Sequence, residues 1–274
     1  MMVRRLVLLA LAACLLPPAG ARAGWVRESP GQRAHYADDG SLEKVELDAD
    51  GDGRYEIVET YRSGKRTERR EDRDGDGVWE RVFRWSPDGT AVCTEDLGKK
   101  GLRVTTYDAQ GRIRRVEVDT DRDGTPDSIW EYEDGRVVRA REPGKEWRYE
   151  NGVPVEARID TDGDGRPDRV ERYGAGGKVT RVEELDPSGR VKRVWTYGPD
   201  GKVTGMEEDT DGDGRFEVRA EYSPDGSFVR RVDHDGDGVW ELRERYGPGG
   251  KLLVREEDLD GDGTYDVRQS REGG

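Results

Sequence analysis

The sequence predicts an all-β fold, an extended antiparallel β-hairpin repeat array: a meander of about ten units of ~24 residues, coiled or rolled as a sheet. Three observations predict it. A nine-residue acidic loop recurs seven times. A glycine turn follows most loops after a short segment. The segments between alternate apolar and charged residues, as in Phe216-Glu217-Val218-Arg219-Ala220-Glu221-Tyr222, the period of two of a half-buried strand.

The loops spell Asp-x-Asp-x-Asp-Gly-x-x-Asp/Glu, with carboxylates at positions 1, 3, 5 and 9. In chain order these are Asp48, Asp50, Asp52 and Glu56; Asp72, Asp74, Asp76 and Glu80; Asp119, Asp121, Asp123 and Asp127. Then come Asp160, Asp162, Asp164 and Asp168; Asp209, Asp211, Asp213 and Glu217; Asp233, Asp235, Asp237 and Glu241; Asp258, Asp260, Asp262 and Asp266. Alternate residues of a tightly wound loop point to one centre, and glycine at position 6 permits the sharp turn that returns a position-7 carbonyl and the position-9 acid to it. Oxygen-only ligands in a flexible loop favour calcium over magnesium, which demands stricter octahedral geometry, and over zinc, which prefers nitrogen and sulfur. An ordinary polar turn needs one Asp-Gly, not three alternating aspartates and a fourth acid. Up to seven calcium ions are therefore expected, closed by position 9, since position 12 varies: Glu59, Phe83, Trp130, Glu171, Ala220, Glu244 and Gln269.

These loops, followed by strand rather than helix, resemble the metal loops of integrin-type (FG-GAP) repeats. The Asp162 to Asp168 spelling also resembles thrombospondin type 3 repeats. Both resemblances imply metal ligands and not a whole fold.

Loop starts are separated by 24, 47, 41, 49, 24 and 25 residues. The wide gaps read as two units around a decayed loop: Asp96 to Gly101, Arg141 to Gly144 and Asp186 to Gly189. Position 14 is aromatic in six copies, at Tyr61, Trp85, Tyr132, Tyr173, Tyr222 and Tyr246. Turns such as Ser86-Pro87-Asp88-Gly89 come next, with proline fixing one φ and glycine supplying a positive one. A reversal every ~12 residues makes an up-and-down meander, with all acidic loops on one edge and all glycine turns on the other. A propeller blade needs four strands, and such a unit supplies two. Tyr107-Asp108-Ala109-Gln110-Gly111-Arg112-Ile113, with Tyr197 to Val203 as a looser match, resembles the YD (RHS-type) repeat of bacterial secreted proteins. That resemblance implies hairpins stacked into long spiralling sheets. The aromatics, among them Trp79, Trp85, Trp130 and Tyr222, are expected to form a thin core, the alternative being a carbohydrate- or protein-docking face.

Residues 1–23 read as a signal peptide: basic Arg4 and Arg5, then apolar Leu6 to Leu16, too short to span a bilayer. Ala21-Arg22-Ala23 is a cleavage site, leaving residues 24–274 as a single β-repeat domain. Leu11-Ala12-Ala13-Cys14 offers the alternative of a lipoprotein anchored through Cys14, the one route to a membrane. A secreted or periplasmic location follows. Cys93 is then the one cysteine of the body, so metal rather than sulfur must cross-link the fold.

The net charge of −14 counts Arg4, Arg5 and Arg22, so cleavage leaves −17, and seven divalent ions would bring it to −3. The acidity is largely the ligand set, and an acidic surface repels nucleic acid. With 32% hydrophobic and 39% charged residues, the ion-free chain lies near the disordered regime, and metal is expected to drive folding. The leading expectation is a secreted calcium-binding repeat protein with a structural or adhesive role, contacting an envelope polymer, glycan or protein. A glycan- or protein-binding module with structural calcium is the alternative. An extracellular hydrolase is disfavoured: His35 and His234, the two histidines, both read as solvent-exposed, and no nucleophile–base pair accompanies them. The chain is expected not to be an enzyme.

Overall fold

The computed structural model describes residues 24–270, so the signal segment, both processing sites and Cys14 lie outside the described residues. The chain forms two compact units, the first reaching Arg112 and including Thr120–Arg122, the second holding Ile113–Asp119 and everything from Asp123 onward. The first contains β1 (Val26–Ser29), β2 (Gln32–Tyr36), β3 (Leu42–Leu47), β4 (Ile57–Arg62), β5 (Lys65–Glu71), β6 (Arg81–Trp85), β7 (Ala91–Asp96) and β8 (Leu102–Tyr107). The second begins with β9 (Ile113–Asp119), β10 (Ser128–Glu133), β11 (Arg136–Glu142), β12 (Lys145–Glu150), β13 (Val153–Ile159), β14 (Arg169–Tyr173) and β15 (Val179–Leu185). It continues with β16 (Val191–Tyr197), β17 (Val203–Glu208), β18 (Val218–Tyr222), β19 (Phe228–Val232), β20 (Leu242–Tyr246), β21 (Leu252–Glu257) and β22 (Val267–Ser270). The only helical turn among the described residues is Gly98–Lys100.

Within each unit every ladder is antiparallel and joins consecutive strands. The fold is the all-β hairpin meander that the repeat spacing predicts. Connections alternate between the two strand ends, so within each unit the acidic loops share one edge and the glycine turns the other. Three of the opposite-edge turns are two-residue reversals with positive φ at both centres: Ser63-Gly64, Asp134-Gly135 and Asn151-Gly152. That is the hairpin turn whose twist matches the flanking strands. The Ser86–Thr90 turn is longer; Gly89 donates to the Ser86 carbonyl at 3.0 Å and Ser86 to the Thr90 carbonyl at 2.9 Å.

A register shift precedes the strand-end tyrosine in seven hairpins, at Tyr36, Tyr61, Tyr132, Tyr149, Tyr173, Tyr197 and Tyr246. Such bulges sharpen the local right-handed twist. Nothing in the period-two pattern announced them.

The core is thin and runs as rows across the strands. In the first unit one row reads Ala34, Val45, Glu59, Arg69, Phe83, Cys93 and Thr105 in paired register. Cys93 is buried, with Phe83 and Thr105 opposite it and the Arg81 guanidinium against its sulfur at 3.4 Å. In the second unit Trp147 lies between Ala140 and Ala157, both essentially inaccessible, a large ring set between small neighbours. The aromatic stripe is half-buried, matching the thin-core expectation; Phe228 stacks on Tyr246 with centroids 4.3 Å apart.

Both faces hold buried positions. Val182 and Val194 are fully covered although they pair in different rows and so point to opposite faces. Val194 sits between Glu183 and Glu207, which are bridged by Arg181 at 2.8 Å and by Arg219 at 2.8 Å respectively. Arginine stems therefore cover apolar surface while their heads stay paired and wet. This is how a chain so rich in charge builds an interior at all.

Position 12 finds its explanation here. The Glu59 carboxylate receives the Tyr61 hydroxyl at 2.6 Å, Arg66 at 2.6 Å and Arg69 at 2.8 Å. Tyr173 donates likewise to Glu171, and Tyr246 to Glu244 at 2.9 Å. Glutamate at position 12 and tyrosine at position 14 are thus partners on one sheet face. Burial, and then the Glu59 carboxylate, push the Tyr61 phenol up to about 12 from its ordinary 10.0. A pKa raised on folding gives stability that is full below about pH 10 and lost as pH climbs through about 12. Tyr61→Phe is expected to flatten that alkaline loss, measured as the unfolding midpoint against pH.

Candidate metal centres

Each loop leaves one strand and enters the next, and its shape is set by its own carboxylates. In loop 1 the Asp48 carboxylate accepts the amides of Gly51 at 2.6 Å and Gly53 at 3.0 Å. Asp50 accepts Asp52 N–H at 3.1 Å, Asp52 accepts Arg54 N–H at 2.8 Å, and Glu56 reaches back to Ala49 N–H at 2.9 Å. The same set recurs around Asp72, Asp160, Asp209, Asp233 and Asp258. Position 9 closes onto the position-2 amide in those copies also. In loop 3, Gly124 and Thr125 donate to Asp119 and Asp123 in the same manner.

Position 4 matters as much as position 6. It is glycine in six loops, with φ between 72° and 85°, and Arg122 in the seventh with φ 64°. The left-handed backbone is what aims the position-4 amide at the first aspartate, and only glycine adopts it without strain. The doubled Asp-Gly-Asp-Gly spelling carried that signal, which the loop formula passed over.

Full quartets come together in loops 1, 2, 5 and 6: Asp48, Asp50, Asp52 and Glu56; Asp72, Asp74, Asp76 and Glu80; Asp209, Asp211, Asp213 and Glu217; Asp233, Asp235, Asp237 and Glu241. In each, one carboxylate oxygen per residue lies within 4.8 Å of all the others. Asp119, Asp121 and Asp127 form a trio of the same kind. Oxygens bound to one ion at about 2.4 Å lie at most twice that apart, so the quartets fit a hard cation of calcium size. Several acidic clusters can hold a metal ion. Position 1 lies deepest, position 9 is mostly half-buried, and positions 3 and 5 face solvent.

Neighbouring loops on the edge are strapped together by arginine. Arg54 of loop 1 reaches the Gly75 carbonyl of loop 2 at 3.3 Å, and Arg215 of loop 5 reaches the Gly236 carbonyl of loop 6 at 2.9 Å. Position 8, aromatic in five copies, takes a second strap: Arg33 lies over Tyr55, Arg219 over Trp240 and Arg243 over Tyr265. Sequence reasoning missed this role, although the aromatic before five of the closing acids was visible.

Arginine takes up the acid in two of the decayed loops. Asp186 is drawn down to about 2, first by the Ser188 hydroxyl and then by the Arg190 amide, and Arg190 also pairs with it at 3.1 Å. Asp96 is held by Arg122, and its carboxyl likewise stays below its ordinary value. Asp108, in the Tyr107–Ile113 turn, accepts the Gln110 and Arg112 amides at 3.0 and 2.9 Å.

The histidines divide. His234 is exposed as expected, whereas His35 is half-buried and 2.7 Å from Glu46, because its ring lies along β2 beside the β3 carboxylate. A groove of about 660 Å³ borders loop 4 and the Asp186 turn, lined by Asp162, Asp164, Asp168, Arg158, Arg166 and Arg172 among others.

No protein-family model matches the chain, and no curated protein matches it. A structure described as "Crystal Structure of TcdB2-TccC3-TEV" aligns over 88% of this chain and 17% of its own, at 12% identity and a TM-score of 0.23. One described as "Crystal structure of the eukaryotic initiation factor" aligns over 87% of each chain, at 10% identity and a TM-score of 0.20. Likenesses of this strength carry no argument about fold or function.

Proposed function

We propose that the chain is a secreted, non-enzymatic calcium-binding repeat protein with a structural or adhesive role, in which ion binding is coupled to folding. The observation that carries this reading is the recurrence of one cage design. Quartets of carboxylate oxygens, each drawn within 4.8 Å, repeat along the loop edge. All donors are hard oxygens, the geometry is flexible and half-open to solvent, and such sites suit calcium over magnesium or zinc. The ligands are proposed to be all four acids of each of the seven loops. The rigid face so formed would meet an envelope polymer, glycan or protein outside the cytoplasm, and not nucleic acid. Anchoring through Cys14 is the membrane variant of the same proposal.

The groove beside loop 4 favours a second reading, a glycan- or protein-binding module with calcium in a supporting role. Pull-down on sugars and peptidoglycan, with and without chelator, separates the two.

The calcium reading is tested by calorimetric titration of the mature chain. A stoichiometry approaching the seven loops, with a gain of far-UV β signal, is expected. No heat and an unchanged spectrum would end it.

A further inference from the structure

Glu217 of loop 5 differs from the acid at position 9 of every other loop. It is only 6% exposed, whereas Glu56, Glu80, Asp127, Asp168 and Glu241 are half-buried and Asp266 is exposed. Its Oε2 accepts the Thr210 amide at 2.7 Å and the Thr210 hydroxyl at 3.0 Å. Its Oε1 is buried and has no hydrogen-bond partner. A buried carboxylate oxygen without a donor is strongly unfavourable. The groups clustered with Glu217 are the carboxyl groups of Asp209, Asp211 and Asp213. A cation bound among them would supply the missing partner.

The site is also closed and firmly held. Asp209, at position 1, is 4% exposed. Arg190 pins the Gly212 carbonyl at 2.5 Å from one side, and loop 5's own Arg215 grips loop 6 on the other. An ion entering this cage sheds water on its inner side and finds its ligands already in place. Calcium sheds water readily, whereas magnesium does so reluctantly and prefers sites that leave it hydrated.

We propose that loop 5 is the primary site of the array: a dehydrating, calcium-selective centre that fills first and releases its ion last. This rests on the calcium reading above and ranks its sites. The test is a calcium titration of the full mature chain in millimolar magnesium, for the native protein and for Glu217→Gln. The native chain is expected to keep one tight site that magnesium does not displace. Glu217→Gln should weaken that site roughly tenfold or more. Glu56→Gln, in open loop 1, should instead remove a weaker site.

Melting supplies the control for folding. The amide relieves like-charge repulsion, so Glu217→Gln should melt no lower than the native chain in EDTA, yet lower in calcium. Equal destabilisation in both conditions would mark a merely structural residue and overturn the proposal. So would loss of a weak site only, or magnesium displacing the tight ion as easily as the rest. Absence of any calcium binding by the native chain would instead defeat the calcium reading itself.

Discussion

Excess EDTA is expected to lower the thermal midpoint of the mature chain by roughly 15–30 °C and to strip much of its far-UV β signal. An ion that binds only the folded state adds about 2.7 kcal/mol at a hundredfold excess over its Kd. Three occupied loops give about 8 kcal/mol, comparable to the whole stability of a domain, roughly 5–15 kcal/mol. For a chain of this size about 1 kcal/mol moves the midpoint by 2–4 °C, which sets the range. The loops do not collapse into unrestrained repulsion when empty. In six loops the first aspartate is held by two glycine amides and the closing acid by another amide, as at Asp48 and Glu56. Those donors balance part of the negative charge but leave positions 3 and 5 mutually repelling. Calorimetry of the native chain with calcium and with EDTA measures the difference, and identical melting in the two would refute ion-linked folding.

Replacing Val194 by aspartate is expected to cost about 3–5 kcal/mol, the scale of an uncompensated buried charge. Val194 is fully covered, and its two cross-strand neighbours are Glu183 and Glu207. The nearby guanidiniums of Arg181 and Arg219 are already engaged with those glutamates, so the new carboxylate finds repulsion and no free donor. Val194→Ala is the comparison. It removes two methyl groups, about 1.5–2 kcal/mol of burial. Denaturant unfolding of both variants gives the ranking. The gap between them should narrow in acid, as the introduced carboxyl takes up a proton.

Much of the architecture was legible because it is written in repeats. The spacing of Asp48 and Asp72, or of Asp209, Asp233 and Asp258, gives the hairpin period directly, and Pro87-Asp88-Gly89 marks its reversal. The acids at positions 1, 3, 5 and 9 were legible for the same reason, and loops 1, 2, 5 and 6 gather all of theirs into one small volume. What escaped was relational. Glu59 and Tyr61 were each visible, but their hydrogen bond depends on a register shift between Thr60 and Tyr61 that no propensity encodes. The straps from Arg54 to loop 2 and from Arg243 to Tyr265 join residues about one unit apart, so they exist only after the strands have paired. Low hydrophobicity also understates the interior. Counting apolar area by residue type leaves out the covering that the stems of arginines such as Arg181 and Arg219 supply beside Val194.

Because the ladders within each unit join only consecutive strands, no backbone ladder described within a unit ties together strands distant in sequence. Tension applied along such a chain would unzip hairpins one at a time, each acidic loop serving as a latch on its own rung. Mechanical toughness would then depend on the weakest filled latch, and lengthening the protein by another rung would leave the strength of the others untouched.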